Sequence, residues 1–80
     1  MAKKSHKKYF SDEQFIVGVG NKIREVRLAK GNTIEDLASE SEMSYSQLSR
    51  IELGKVNFSI SFLPKIAKAL KVNVHELIPY

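Results

Sequence analysis

Apolar positions along this 80-residue chain recur at helical spacing, in blocks separated by turn residues. Phe15, Ile16, Val19, Ile23 and Val26 predict one helix. Ser11 with Gln14 forms a Ser-x-x-Gln capping box at its start, and Gly31 stands where glycine ends a helix. Gly18 and Gly20 fall in its middle, each weakening a helix by about 1 kcal/mol relative to Ala, so a break there is the alternative to one continuous helix. Thr33 with Asp36, an acidic variant of the same box, opens a second helix with Leu37 and Ala38 inward. Ser44 with Gln47 opens a third, which carries Leu48 and Ile51 and stops at Gly54. Leu63, Ile66, Ala67 and Leu70 define a fourth. Pro64 sets its start, because proline fits only the first turn; Ser61 is then the cap in preference to Ser59. Asn73 with Glu76 caps a last short helix over residues 74–78. No segment alternates like a strand for more than a few residues. The pattern predicts an all-α fold of five helices in one domain, residues 11–80, preceded by a basic flexible arm, residues 1–10.

The third helix is unusual in what it leaves outside. Within MSYSQLSRIELGK (43–55), the positions around Leu48 and Ile51 are Ser44, Tyr45, Ser46, Gln47, Ser49 and Arg50. A face that only meets water favours Glu and Lys, which are better helix formers. Hydroxyls, an amide, a phenol and one guanidinium instead match the donors, acceptors and thymine methyls of DNA base edges, which carry no net charge. Two short helices joined by a tight turn, the second with an exposed polar face, are the parts of a helix-turn-helix, here about residues 33–52.

Charge changes the picture only slightly. The net charge of +4 is accounted for by Lys3, Lys4, Lys7 and Lys8. The remaining chain is balanced, and its 33–52 segment is acidic, with Glu35, Asp36, Glu40, Glu42 and Glu52 against Arg50. A nucleic-acid partner therefore rests on pattern and not on bulk charge. The lysine run is either a solubilising tail or an arm that follows DNA into the minor groove. With no cysteine there is no disulfide framework or thiolate metal site, and His6 and His75 lack ligand spacing. Gly18-Val19-Gly20 is not a nucleotide loop, since no strand precedes it. No nucleophile–base pair is visible, so an enzyme, a metal and a cofactor are not expected. No apolar run nears the roughly 20 residues of a membrane span, and the basic N-terminus has no apolar core behind it. A cytoplasmic protein, nucleoid-associated when bound to DNA, is the expectation.

The order NKIREVRLAKG (21–31), TIEDLA (33–38), MSYSQLSRIELGK (43–55), the Asn57 loop, FLPKIAKAL (62–70) and VNVHEL (72–77) resembles the phage-repressor and Cro-like helix-turn-helix proteins of the xenobiotic-response-element type. The resemblance covers about residues 19–77, and its specificity lies in the order and spacing of the pieces. It implies a lambda-repressor-like fold with a recognition helix over about 45–53 in the major groove. It further implies base reading by Tyr45, Ser46, Gln47, Ser49 and Arg50. Phosphate contacts fall to Thr33, Ser44, Lys55 and Asn57, and a salt bridge between Arg27 and Glu52 ties the first helix to the third. Four positions depart from the pattern. Ile34 replaces a phosphate-clamping Gln, Glu42 and Lys71 replace turn glycines, and Phe58 replaces a frequent proline.

The expected function is that of a sequence-specific double-stranded DNA-binding transcriptional regulator, a repressor acting as a homodimer on a pseudo-palindromic operator. One domain of this size covers a half-site, and two half-sites lie about one helical turn apart. Val74, Ile78 and Tyr80 are the candidate dimer interface; Leu77 belongs to the core. The alternative, from another functional class, is a protein-interaction module of the same fold, such as an antitoxin half or bridging factor. The balanced charge and Ile34 lean toward it, and co-purification of a stoichiometric second protein distinguishes it.

Overall fold

A computed structural model describes residues 12–55 and 58–79. Four α-helices follow one another: α1 (Glu13–Ala29), α2 (Ile34–Ser41), α3 (Tyr45–Glu52) and α4 (Phe62–Leu70), then a 3-10 turn, Val74–Leu77. The fold is all-α, as the apolar spacing predicted, but with four α-helices and a 3-10 turn in place of five helices. Proline explains the difference. Ile78 precedes Pro79, and the residue before a proline is driven out of the α region. Ile78 is accordingly extended, at φ −90° and ψ 130°, so the last segment stops after four residues.

The start of α1 is the second correction. Asp12, not Ser11, is the cap, and its carboxylate accepts the Phe15 backbone N–H at 3.0 Å. Ser11 itself lies outside the described residues. A carboxylate at this point also meets the positive end of the helix dipole. Gly18 and Gly20 do not interrupt α1, which runs unbroken for 17 residues. The two internal capping boxes form as their spacing predicted. Thr33 Oγ1 accepts from the Asp36 N–H while Asp36 accepts from the Thr33 N–H, both at 3.0 Å; Ser44 and Gln47 repeat the arrangement, both at 3.0 Å. Pro64 is the third residue of α4, as a cap at Ser61 requires. The Ser61 hydroxyl, however, pairs with that of Ser59 at 2.9 Å and does not cap the helix.

All four helices close in the same way. A left-handed residue follows the last turn, and the next N–H returns to a carbonyl five residues back: Asn32 to Arg27, Met43 to Ala38, Lys55 to Arg50 and Val72 to Ala67. The left-handed residues are Gly31, Glu42, Gly54 and Lys71. Two of the four are therefore side chains held where glycine is preferred, at φ 58° for Glu42 and 61° for Lys71.

The core is built from Val19 and Ile23 of α1, Leu37 of α2, Met43 in the turn, Leu48 and Ile51 of α3, Leu63, Ile66, Ala67 and Leu70 of α4, and Leu77. Phe15 and Val26, expected inside, are only half-buried at its edge. Helix α3 packs on α1 and α2, α4 packs on α2, and the 3-10 turn lies across α1 and α4. Among the described residues, no helix is long and apolar enough to cross a membrane.

Candidate nucleic-acid interface

The two sides of α3 differ in chemistry. Leu48 and Ile51 are buried against the neighbouring helices. Tyr45, Ser46, Gln47 and Arg50 are exposed on the remaining surface, with Ser49 half-buried beside them. Tyr45 leaves 52% of its surface open, a large exposure for an aromatic ring. At the helix start, Ser44 and Gln47 are committed to each other through the capping box. That bond uses the Gln47 side-chain oxygen and leaves its NH2 without a partner among the described residues; the Ser44 hydroxyl hydrogen is likewise still available to donate.

Arg50 has two readings in the sequence, a base reader or the partner of Glu52 or another acid. Glu52 is already occupied. Arg27 Nε donates to Glu52 Oε2 at 2.7 Å, and Arg27 Nη2 donates to Oε1 at 2.9 Å. A third N–H, from Nη1, goes to the Asn32 carbonyl oxygen at 2.9 Å. Both partners are almost sealed from water, Arg27 6% and Glu52 5% exposed. The hydrogen bond to Glu52 and then its charge hold the Arg27 guanidinium above the usual arginine range, although burial pulls the other way. The fork-on-fork geometry satisfies both groups in a site that would otherwise penalise either charge. The Arg50 side chain carries no hydrogen bond or ion pair among the described residues, so its guanidinium stands exposed with its five donors unspent.

The other expected contacts are distributed around this helix. Thr33 and Ser44 are exposed caps at the starts of α2 and α3, and Lys55 is exposed just after Gly54. Asn57 lies outside the described residues. Ile34 is half-buried against the core, which explains how an apolar side chain is accommodated at the first position of α2. Phe58 packs on the core in the same way. At the other end, Val74 is 37% exposed and Ile78 is half-buried, while Leu77 is fully in the core. Tyr80 lies outside the described residues.

Three positions that matter to this arrangement have no periodic signal. Met43 enters the core from the turn. Ser41 is buried and donates its hydroxyl to the Leu37 carbonyl at 2.6 Å, an option open to serine at the end of a helix. Gly20 lies buried on α1 beside the end of α3. In the sequence it shows only as a weak point inside a strong helical pattern.

A family model described as Helix-turn-helix matches residues 23–77, from the middle of α1 to the 3-10 turn. The chain belongs to this Cro/C1-type helix-turn-helix family. Individual relatives agree. The control protein C.BamHI of Bacillus amyloliquefaciens is 39% identical over 62 residues, which cover 76% of each chain. The transcriptional regulator SinR of Bacillus subtilis (strain 168) is 38% identical over 61 residues, 75% of this chain but 55% of its own, so the match spans about half of SinR. The restriction-modification controller protein C.AhdI from Aeromonas hydrophila superposes with a TM-score of 0.76 at 36% identity, over 79% of this chain and 96% of that one. By family, the chain is a DNA-binding helix-turn-helix transcription regulator of lambda-repressor-like fold and not an enzyme. Helices α2 and α3 are joined by a three-residue turn, and α3 carries the exposed polar face.

Proposed function

We propose that this protein regulates transcription by binding a specific double-stranded DNA operator, with α3 in the major groove. The observation that carries the reading is the outer face of α3: hydroxyls, an amide and an aromatic ring around an unpaired Arg50, on a helix whose inner face is locked into the core. Tyr45, Ser46, Gln47, Ser49 and Arg50 read base edges. Arg50 takes a guanine O6/N7 edge in bidentate fashion, worth about 1–3 kcal/mol of discrimination. Thr33, Ser44, Lys55 and Asn57 fix the register on the phosphates. The protein acts as a homodimer, through Val74, Ile78 and Tyr80, on a pseudo-palindrome, and represses by occupying it. C.BamHI and C.AhdI, named as control and controller proteins, support a role as a compact regulator.

The test is selection of duplexes from a randomised library by the purified protein at near-physiological salt. A two-fold-symmetric site with fixed spacing is expected, and Arg50→Ala should relax one base position in each half. Weak, salt-sensitive binding with no enriched sequence, lost on removal of residues 1–10, would instead favour a protein partner and nonspecific charge.

A further inference from the structure

The end of α3 is held at two points on α1. One is the Arg27–Glu52 pair; the other is Gly20. These two α1 residues are seven apart, two turns along one face. A Cβ added at Gly20 would lie 2.2 Å from the carbonyl oxygen of Ile51 and 2.8 Å from that of Glu52. Real Cβ contacts essentially never fall below 3.0 Å. Both obstructing atoms are backbone, so no rotamer change relieves them. Any residue other than glycine must therefore separate the end of α3 from α1 by about 1 Å, because packed interiors have no slack to absorb the atom.

We propose that Gly20 is a positioning residue for DNA readout: its missing side chain sets the depth and tilt at which α3 presents Ser49 and Arg50. The inference rests on the reading of α3 as the recognition helix. Three facts connect Gly20 to the read surface. Arg50 immediately precedes Ile51, whose carbonyl abuts Gly20. Helix α3 is only eight residues long, about 12 Å, so a shift of about 1 Å at one end tilts the whole element by roughly 5°. The same shift would stretch the 2.7 and 2.9 Å bonds of the ion pair out of hydrogen-bond range. Groups that bind by bidentate geometry tolerate only about 0.5 Å of displacement. Glycine at this position thus lets the pair close, and the closed pair fixes the attitude of the helix.

The experiment compares the full chain with Gly20→Ala and Gly18→Ala. Gly18→Ala is the matched control: the chemistry and helix are the same, but the nearest atoms its Cβ would meet are ring carbons of Pro79, at 2.7 Å. Each variant is also made in a Lys71→Gly background, which removes a left-handed side chain distant in sequence from α3. Amide NMR shifts report the seat of α3 without DNA. Library selection, with affinities for the selected and a scrambled duplex, reports readout. Gly20→Ala should move the amides of residues 45–53 well beyond the control. It should also lower the specific-to-scrambled affinity ratio about tenfold, concentrated at the base positions that Arg50→Ala relaxes, while affinity for scrambled DNA holds. Gly18→Ala should keep the wild-type base preferences within each half-site; any loss its contact with Pro79, between Ile78 and Tyr80, causes through the dimer is read by sedimentation and falls on every base position alike. Wild-type selectivity in Gly20→Ala, equal losses in both variants, or failure of Gly20→Ala to fold in either background would overturn the proposal. If the wild type selects no site, the recognition-helix reading falls and takes the readout role with it. If instead the wild type selects a site and the α3 amides do not move, the positioning role alone is wrong.

Discussion

Replacing Glu52 with Gln isolates the charge of the buried pair while keeping the shape of the side chain. Arg27 would then stay buried, 6% exposed, facing one amide oxygen in place of a carboxylate and an amide NH2 where the second bond was. It would keep the Asn32 carbonyl, so one of its bonds survives intact. Hydrogen bonds to charged groups are worth about 1.5–3 kcal/mol each, and breaking a buried pair from one side costs about 3–5 kcal/mol. With one bond kept, about 3 kcal/mol is the expected loss for Glu52→Gln. A domain of this size holds a net stability of roughly 4–12 kcal/mol, and each kcal/mol shifts the midpoint by about 4–8 °C. Thermal and urea unfolding followed by helical circular dichroism should therefore show a midpoint lower by at least about 12 °C. The companion variant is Arg27→Met with Glu52→Leu. It removes both charges together and should lie within about 1 kcal/mol of wild type, or above it. A drop below about 4 °C in the single variant, or a double variant as weak as the single one, would refute the view that an uncompensated charge is what the site cannot hold.

Three further outcomes follow from the geometry. Lys71→Gly and Glu42→Gly should each stabilise the protein by about 0.5–1 kcal/mol in urea unfolding, because relief of the left-handed side chain exceeds the extra unfolded-state entropy of glycine. Val74→Glu should shift sedimentation toward monomer at micromolar concentration and weaken operator binding, since Val74 is 37% exposed, and should remove any rise of the unfolding midpoint with protein concentration; an unchanged dimer would move the interface elsewhere. Arg27 is held above the usual arginine range by Glu52, so its contribution is complete below the ordinary arginine value and is lost only as pH rises through the still higher folded one. Arginine's stability should thus hold through pH 11, whereas Arg27→Lys, whose amine ordinarily titrates near 10.4, should fall away from wild type as pH rises past about 10; parallel curves would refute this.

What the sequence disclosed was mostly local. The Thr33–Asp36 and Ser44–Gln47 boxes join residues three apart, so their meaning does not depend on the rest of the fold. The inward faces of Leu37, Leu48, Ile51 and the α4 residues follow from helical period alone. Two misplacements arose where neighbouring local signals competed. Ser11 and Asp12 both suit a cap, and the period of α1 does not choose between them. The box at Asn73 announced a helix, but Pro79 cut it short by fixing Ile78 in an extended state. Gly20 was opaque for a different reason. Its partner, Ile51, is 31 residues away, and a glycine read locally is only a weak point in a helix. The family pattern supplied the Arg27–Glu52 pair, which no local rule predicts. Its members are 25 residues apart and carry the type of charge normally left in water.

The shortness of α3 has a thermodynamic consequence. A helix of eight residues does not persist in water by itself, because nucleation is unfavourable and too few bonds follow it. Its shape is borrowed from Leu48, Ile51 and the buried pair, so the surface proposed to meet DNA exists only in the fraction of molecules that are folded. Apparent affinity is the intrinsic affinity multiplied by that fraction. While stability exceeds about 2 kcal/mol the fraction is close to one, and a weakened core leaves binding untouched. Below that, occupancy of DNA should collapse along with the fold, and bound DNA in turn would pull molecules back into the folded state by mass action. Damage to the core and damage to the read surface therefore have different temperature signatures: the first is silent when cool and abrupt on warming, the second present at every temperature.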